Sequence, residues 1–471
     1  MTLPEPFRPL NGMQQMMLRW EAVHPLNAVH LVELGEPVSL AQAQAALDEA
    51  LATLSLGPVE FSRNRTQSRF LPASAMAAPR VEAVVVAQPF ESALTALLDD
   101  HLNRPFATSG VEWPFRFLHV PTDDGRCYLG IVYRHVVSDS RGIQLIARCW
   151  LRTLFGLSHT GVPLSTSTPT LEQLFPRDLS WRQTPCRIRE ITTELWESLG
   201  CFRAPTRPSQ PASISGSLHG RKLPLVAIKK TAKEQGVTVQ DALFAALLEG
   251  LNLLLADEMQ DSRRRVLSLY AAADIRREAS IPLDATLGQF LGSITVRVNA
   301  PVGQPYARTA AEVARQTRRV KDSREHLAHA SHLATMARLW DCFPLRFNRA
   351  VGPWLFPVMS LISNVNLTDL LAQEIAAGFV LDYQRFTGTG ILTPMMTGLT
   401  TLGSHVNLTT TRHTDVFTAE QHRLLLRHVE RRLTGQLPAI ADPESFHAEP
   451  TPVAATVREP KLRPDVRSRV S

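Results

Sequence analysis

A histidine and an aspartate four residues apart are the first candidates for chemistry in this sequence. The stretch CYLGIVYRHVVSDSRG, residues 127–142, begins as an apolar run and turns polar at Arg134 and His135, with Asp139 following. An imidazole titrates near neutral pH, so His135 could take a proton from an alcohol or amine and return it to a leaving group. The same pattern also fits a hydrogen-bonded structural histidine at the polar end of a strand.

The HxxxD spacing does not separate these interpretations, because a chain with 15 histidines is expected to contain roughly one such pair by accident. A second pair, His119 and Asp123, is indeed present, and its aspartate lies in a predicted turn. We interpret that pair as a chance match. His135 differs in its setting, because it lies between an apolar strand and an amphipathic helix. Side chains at such strand ends often build functional sites.

The elements around His135 are predicted from periodicity. Residues 115–120 and 127–133 form two strands, and PTDDGR between them predicts a hairpin turn. Residues 142–155 have the apolar spacing of a helix. In the second half, residues 238–254 predict a helix capped by Thr238, with Asp241 three residues on. Strands at 266–274 and 291–298 and helices at 309–324 and 419–433 follow without a strict βαβ order. This alternation predicts a mixed α/β fold.

The predicted organisation has four parts. Residues 1–160 form an N-terminal lobe that contains the HxxxD loop, and residues 161–216, where proline and serine are frequent, form a crossover or linker. Residues 217–440 form a C-terminal lobe. Residues 441–471 are rich in proline and charge, which predicts a disordered tail that could be removed without loss of stability.

Composition narrows the function classes. The net charge is +6, from 50 basic and 44 acidic residues, and the basic runs have no interleaved aromatic residues, so we expect no nucleic-acid partner. The five cysteines lack CxxC spacing, which favours a reducing compartment. Prolines at positions 4, 6 and 9 replace the apolar core of a signal peptide, and no apolar run reaches the length of a membrane span. The chain is therefore predicted to be cytoplasmic.

A metal site is not predicted. Histidines at 326, 329 and 332 repeat every three residues, so on a helix they drift around the surface, and no HExxH motif accompanies them. A partly exposed helix face explains the repeat better than a set of converging ligands.

The motif and several flanking segments resemble the condensation domains and BAHD-type acyltransferases, which share the chloramphenicol-acetyltransferase-like fold. The HxxxD loop is similar to that family's HHxxxDG signature, with Arg134 in place of the first histidine and Ser140 in place of the glycine. The resemblance covers about residues 9–435 and includes five further segments, PLNGMQQMMLRW (9–20), GVTVQDALFAALLEGL (236–251), YAAADIRR (270–277), LGQFLGSITV (287–296) and ISNVN (362–366). The segment RFTGTG (385–390) lies where plant-type members have DFGWG but does not match it.

The resemblance implies two similar lobes of mixed sheets and helices, packed as a V with a tunnel at their interface. His135 would be the general base of a free-standing acyltransferase of secondary metabolism. An acyl thioester on coenzyme A or on a carrier-protein phosphopantetheine would be the donor, with no permanently bound cofactor, and a small alcohol or amine the acceptor. Asp139 would pair with Arg276 of the second lobe, and Ser363 and Asn364 are candidates for contacts to the oxyanion or the substrate.

The departures at Arg134 and Ser140 motivate an alternative. The chain could be a catalytically silent protein of the same fold that binds a carrier protein or another partner.

Overall fold

The computed structural model of the chain describes residues 6–86, 88–107, 110–158, 162–176, 184–204, 215–260, 262–390 and 393–447. The strands are β1 (Arg8–Pro9), β2 (Asn27–Leu34), β3 (Val59–Phe61), β4 (Gln67–Phe70), β5 (Val81–Ala83), β6 (Val111–Glu112), β7 (Phe115–Pro121), β8 (Cys127–Arg134), β9 (Ser215–Pro224), β10 (Leu267–Asp274), β11 (Leu291–Val298), β12 (Ser360–Asn366), β13 (Val380–Thr387), β14 (Met395–Leu402) and β15 (His405–His413). The helices are α1 (Gly12–Glu21), α2 (Leu40–Thr53), α3 (Phe90–Asn103), α4 (Ser140–Leu154), α5 (Leu171–Leu174), α6 (Thr184–Leu199), α7 (Leu225–Glu234), α8 (Val239–Leu254), α9 (Ala256–Gln260), α10 (Tyr306–Asp322), α11 (Glu325–Asp341), α12 (Leu345–Leu355), α13 (Ala372–Ala376), α14 (Ala419–Leu433) and α15 (Pro443–His447).

The first lobe is built on a five-stranded sheet in the order β13–β2–β8–β7–β5. Strand β5 runs parallel to β7, and the other neighbours are antiparallel. Helices α2 and α4 cover one face, where Leu47, Phe117 and Trp150 are fully buried, and α3 covers the other through Leu94 and Leu98. The predicted hairpin is present as β7 and β8. Because both faces are covered, β2 is buried along its whole length.

The second lobe is built on a six-stranded sheet in the order β11–β10–β12–β14–β15–β9. Strand β12 is parallel to both β10 and β14, and the remaining pairs are antiparallel, so this sheet is mixed. Helices α8, α10 and α14 contribute the core on its covered face. Helix α8 begins as predicted, with a reciprocal capping box between Thr238 and Asp241. The mixed α/β class and the two lobes predicted from the sequence are confirmed.

One strand crosses between the lobes. Strand β13 lies within the range 217–440 predicted for the C-terminal lobe, yet it pairs with β2 at the edge of the first sheet. This exchange brings Tyr383 and Arg385 of β13 beside the first lobe's central strands. Residues 161–216 also contain helix α6, where only a crossover or linker was predicted.

The predicted tail needs a correction at its start. Residues 443–447 form α15, and Phe446 is 4% exposed in a small cluster with Leu253 and Ala441. The ring of Phe446 also lies 5.3 Å from that of His428. An aromatic side chain buried in this way ties the segment to the second lobe, so residues 441–447 do not belong to a disordered tail. Residues 448–471 lie outside the described residues.

Within the described ranges, no single helix is long and apolar enough to cross a membrane. Helices α7 and α8 reach that length only as a pair bent by 82°.

Candidate active site

His135 follows β8 directly and begins a short loop that ends where α4 begins. Its backbone N–H donates to the carbonyl of Leu26, with 3.1 Å between N and O, so the histidine is still anchored to the neighbouring chain segment. Val136, Val137 and Ser138 of the loop are buried, whereas the His135 side chain is half-buried. The strand thus delivers the imidazole to a place that is only partly covered.

The hydrogen bonds of the His135 ring define its tautomer. Nδ1 lies 3.1 Å from the carbonyl oxygen of Ser138 and 3.3 Å from the amide nitrogen of Gln289, which also donates to the His135 carbonyl. Because a carbonyl oxygen can only accept, we assign the ring proton to Nδ1. Burial lowers the pKa of His135 below 6.5, although the bond to Ser138 opposes this shift. The ring is therefore neutral at neutral pH. The described residues give Nε2 no hydrogen-bond partner, which leaves its lone pair available to accept a proton.

Asp139 joins the loop to the second lobe. Its carboxylate accepts from the two terminal nitrogens of Arg276 at 2.6 and 2.9 Å, a bidentate pair that is almost completely buried. It also accepts from the backbone N–H of Phe290 at 3.1 Å, and it caps α4 through the N–H groups of Arg141 and Gly142. The ion pair expected between Asp139 and Arg276 is thus present. It bridges the two lobes and fixes the loop rather than facing a substrate.

Two further segments hold the loop from its other side. The amide of Gln14, on α1, donates to the carbonyl of Val136 at 3.2 Å. The amide of Gln289 donates to the backbone carbonyl of His135, and the Asn11 amide donates to the carbonyl of Gln289 at 2.7 Å. The segments 9–20 and 287–296 therefore converge on the HxxxD loop. Both were among the segments whose sequence resembles the condensation-domain family.

No protein-family model matches the chain, and no curated protein matches it significantly. Solved structures do match over nearly the whole chain. The first condensation domain of the calcium-dependent antibiotic synthetase, in complex with a substrate analogue, superposes with a TM-score of 0.66 at 12% identity, covering 93% of this chain and 99% of that one. The chain has the condensation-domain fold.

Two other structures with this fold widen the comparison. The starter condensation domain of rhizomide synthetase has a TM-score of 0.60 at 13% identity and covers 93% of this chain and 96% of its own. The X-domain from teicoplanin biosynthesis, solved in complex with OxyB, has a TM-score of 0.53 at 16% identity and covers 92% and 94%. Because the sequence identities are only 12–16%, these matches show similarity of fold.

Arg134, which stands in place of the first histidine of the condensation-domain signature, faces away from His135. Its guanidinium group forms buried ion pairs with Glu21 and Glu112 and lies 4.5 Å above the ring of Phe61. Neighbouring residues of an extended chain point to opposite sides, which explains the separation. Arg134 thus contributes ion pairs and packing inside the first lobe.

Of the two candidates on β12, one lies beside the loop and the other does not. The hydroxyl and the carbonyl of Ser363 accept from Arg385, whose guanidinium also reaches Ser140 of the HxxxD segment. Asn364 is exposed and lies on the opposite face of the strand, because alternate residues of a strand point to opposite faces. The structure therefore brings Ser363 to the loop but not Asn364.

Sequence reasoning missed two buried residues at this site, His30 of β2 and Arg385 of β13. Nδ1 of His30 lies 2.8 Å from the hydroxyl of Tyr383, and its Nε2 lies 3.3 Å from the Ser140 hydroxyl. The ring of Tyr133 separates the two histidines, 5.4 Å from His30 and 5.5 Å from His135. Burial lowers the pKa of His30 well below 6.5, with the charge of Arg385 adding to the effect.

The histidines His119 and His326 have partners elsewhere in the fold. His119 lies on β7, and its Nε2 is 2.7 Å from the carbonyl of Val38. His326 is buried, with Nε2 2.8 Å from Glu278, and the side chains of His329 and His332 lie outside what the structure describes. Among the described residues, no group of three histidine, cysteine or acidic side chains could hold a metal ion.

Proposed function

We propose that the protein is an acyltransferase that moves an acyl group from a thioester of coenzyme A or of a carrier-protein phosphopantetheine to an alcohol or amine. The observation that supports this most directly is the state of His135. The imidazole is neutral, its Nδ1 proton is held by Ser138, and its Nε2 has no partner among the described residues. These three properties suit a general base, whose free nitrogen must be able to accept the acceptor's proton.

In the proposed reaction, Nε2 of His135 takes the proton of the acceptor's O–H or N–H group as the acceptor attacks the thioester carbonyl. The bond between the carbonyl carbon and sulfur then breaks, and the departing thiolate receives the proton from the imidazolium ion. General-base catalysis of this kind is worth about 10²- to 10⁴-fold, so the positioning of the two substrates must supply much of the remaining acceleration.

The other predicted residues take supporting roles in this proposal. Asp139 and Arg276 act as positioning residues, because their pair is buried and fixes the loop between the lobes. Ser363 remains the candidate for contact with the substrate. The donor class is supported by one solved neighbour, a mutant of the rhizomide starter condensation domain that was crystallised with C8-CoA and Leu-SNAC. We expect the substrates to meet in a tunnel between the lobes, and the reaction to take place in the cytoplasm.

A second function, binding without catalysis, is favoured by one specific observation. The X-domain from teicoplanin biosynthesis has the same fold and was solved in complex with a partner, OxyB. The departure at Ser140 is also compatible with a binding role, because its hydroxyl fills the space next to His30 and Arg385.

Thioester consumption separates the two functions. The purified protein is incubated with octanoyl-CoA and, separately, with an octanoyl-loaded carrier protein, each with a panel of amines and alcohols. Free thiol is measured, and products are identified by mass. Acyl transfer requires turnover by the parent protein and its loss in His135→Ala with the fold intact by circular dichroism. No thiol release with either donor would favour the binding function, and equal release by both proteins would point to catalysis by substrate positioning alone or to a binding role.

A further inference from the structure

Arg385 is a buried cation to which the described part of the chain supplies no acidic partner. The side chain is 5% exposed, and the described residues form no ion pair with it. Its five N–H donors are all used by neutral oxygens. Nε donates to the hydroxyl of Thr400, Nη1 to the hydroxyls of Ser140 and Ser363, and Nη2 to the carbonyls of Ser363 and Leu399, at distances from 2.9 to 3.1 Å. These bonds satisfy the donors without neutralising the charge.

Two acidic residues near Arg385, one on the same strand and one in the HxxxD loop, have other partners. Asp382, three residues before Arg385, contacts Lys222 and His405. Asp139 is paired with Arg276. Burial lowers the pKa of Arg385 to about 10, so the guanidinium remains protonated at neutral pH. Arginine is rarely buried unless it is paired, because an isolated buried charge loses its hydration without compensation. The arrangement is therefore suited to an anion that the described part of the chain does not provide.

The two serine hydroxyls beside Arg385 differ in whether their own proton already has an acceptor. The Ser140 oxygen accepts from Arg385 and from the amide of Gln144 at 2.9 Å, and its own proton can go to Nε2 of His30. That hydroxyl is fully used. The Ser363 oxygen accepts from Arg385, and no acceptor for its own proton exists among the described residues. Ser363 is half-buried, so the residue is partly accessible, and the Arg385 cation polarises its O–H group.

We propose that the Ser363 hydroxyl, with Arg385 behind it, is a binding site for a substrate carboxylate. The inference rests on the proposed acyl transfer and specifies its substrate class, namely that one of the two substrates meeting at His135 carries a free carboxylate. The Ser363 hydroxyl donates a hydrogen bond to a carboxylate oxygen. The guanidinium group of Arg385, on the other side of this hydroxyl, stabilises the negative charge electrostatically. An amino acid acceptor or a dicarboxylic acyl group on the thioester would each supply this chemistry.

Matched pairs of substrates reveal which substrate carries the charge. In the first arm, L-amino acids are compared with their primary amides as acceptors for octanoyl-CoA. In the second, glutaryl-CoA is compared with pentanoyl-CoA as the donor. Because a hydrogen bond to a charged group contributes about 1.5–3 kcal/mol, the charged member of one pair should be preferred by about 10- to 100-fold in kcat/KM. Ser363→Ala should abolish that preference, and so should Arg385→Met if circular dichroism shows it to be folded.

Ser404→Ala is the matched control, because Ser404 is exposed in the turn between β14 and β15 and should leave the preference intact. A parent protein that shows no preference in either arm overturns the proposal, and so does an unchanged preference in Ser363→Ala.

A binding measurement keeps this test separate from the proposed function. Octanoate and octanamide are titrated calorimetrically into the His135→Ala variant. Preference for octanoate, lost on adding Ser363→Ala, supports the carboxylate site even if the parent consumes no thioester. Turnover by the parent together with equal binding of both probes would overturn the site and leave the acyltransferase function standing.

Discussion

The replacement Asp139→Asn tests the pair that joins the HxxxD loop to the second lobe. Asparagine keeps an oxygen that can cap α4, so the backbone N–H groups of Arg141 and Gly142 retain their acceptor. It removes the negative charge and turns an N–H₂ group towards Arg276. The guanidinium then loses its bidentate partner while it stays 5% exposed.

The expected cost is about 3 kcal/mol. Removing one member of a buried ion pair typically costs about 3–5 kcal/mol, since the other charge is left buried and uncompensated. The carboxylate of Asp274 lies 3.4 Å from Arg276 but is half-exposed, so it compensates in part and places the loss at the lower end. For a lobe of about 200 residues, each kcal/mol shifts the melting temperature by about 2–4 °C, which predicts a fall of about 6–12 °C.

A double-mutant cycle measures the coupling directly. Denaturant unfolding of Asp139→Asn, Arg276→Met and the double variant should give a double variant that is less destabilised than the sum by about 1–3 kcal/mol. Glu234→Gln serves as the control, because both members of its pair with Lys230 are exposed, at 58% and 76%, and its loss should cost below about 1 kcal/mol. Additivity of the two single losses within about 0.5 kcal/mol would refute the role of the pair as a bridge.

Three further outcomes are expected. His135→Ala should lower turnover by about 100-fold or more, whereas His119→Ala should stay within a few-fold of the parent; equal losses would mean that both histidines act through stability. Because burial lowers the pKa of His135, the imidazole stays neutral until the pH falls below 6.5, so the acid limb of kcat/KM should lie below that value, and a limb at or above it would contradict the assignment. Truncation after Ala441 should cost about 1.5–3 kcal/mol, because it removes buried Phe446, whereas truncation after His447 should leave the melting temperature unchanged; equal effects of the two truncations would show that α15 adds no stability.

Local signals were sufficient for most elements. The predicted strand at 291–298 and the helix at 419–433 have the bounds that the structure gives to β11 and α14. Thr238 and Asp241 encode a capping box within four residues, so the start of α8 could be predicted without tertiary information. The HxxxD loop was found because its strand, turn and helix follow one another directly, and the partnership of Asp139 with Arg276 came from the resemblance.

Other features depend on information that a local pattern does not contain. Strand β13 was not among the predicted elements, and a local pattern would not specify which of two sheets such a strand joins. Ser363 and Asn364 were both candidates for substrate contact, and as neighbours on one strand they face opposite sides, but the sequence does not specify which one meets the loop. His30 has no motif around it, and Arg385 begins the segment RFTGTG, which did not match the family's motif. Their role follows only from the exchange of β13 into the first sheet, which places them together.

The two buried arginines beside the loop differ in whether their charge is neutralised within the described chain, and we therefore give them different roles. The charge of Arg276 is neutralised by Asp139 within the chain, and this ion pair holds the lobes and the loop together. Arg385 has its donors satisfied by neutral oxygens, so its charge still acts on whatever enters next to Ser363. A bound anion would lower the free energy of Arg385 but would leave the internally compensated Arg276 almost unaffected. We therefore expect substitutions at Arg276 to change stability first, and substitutions around Arg385 to change the choice of substrate.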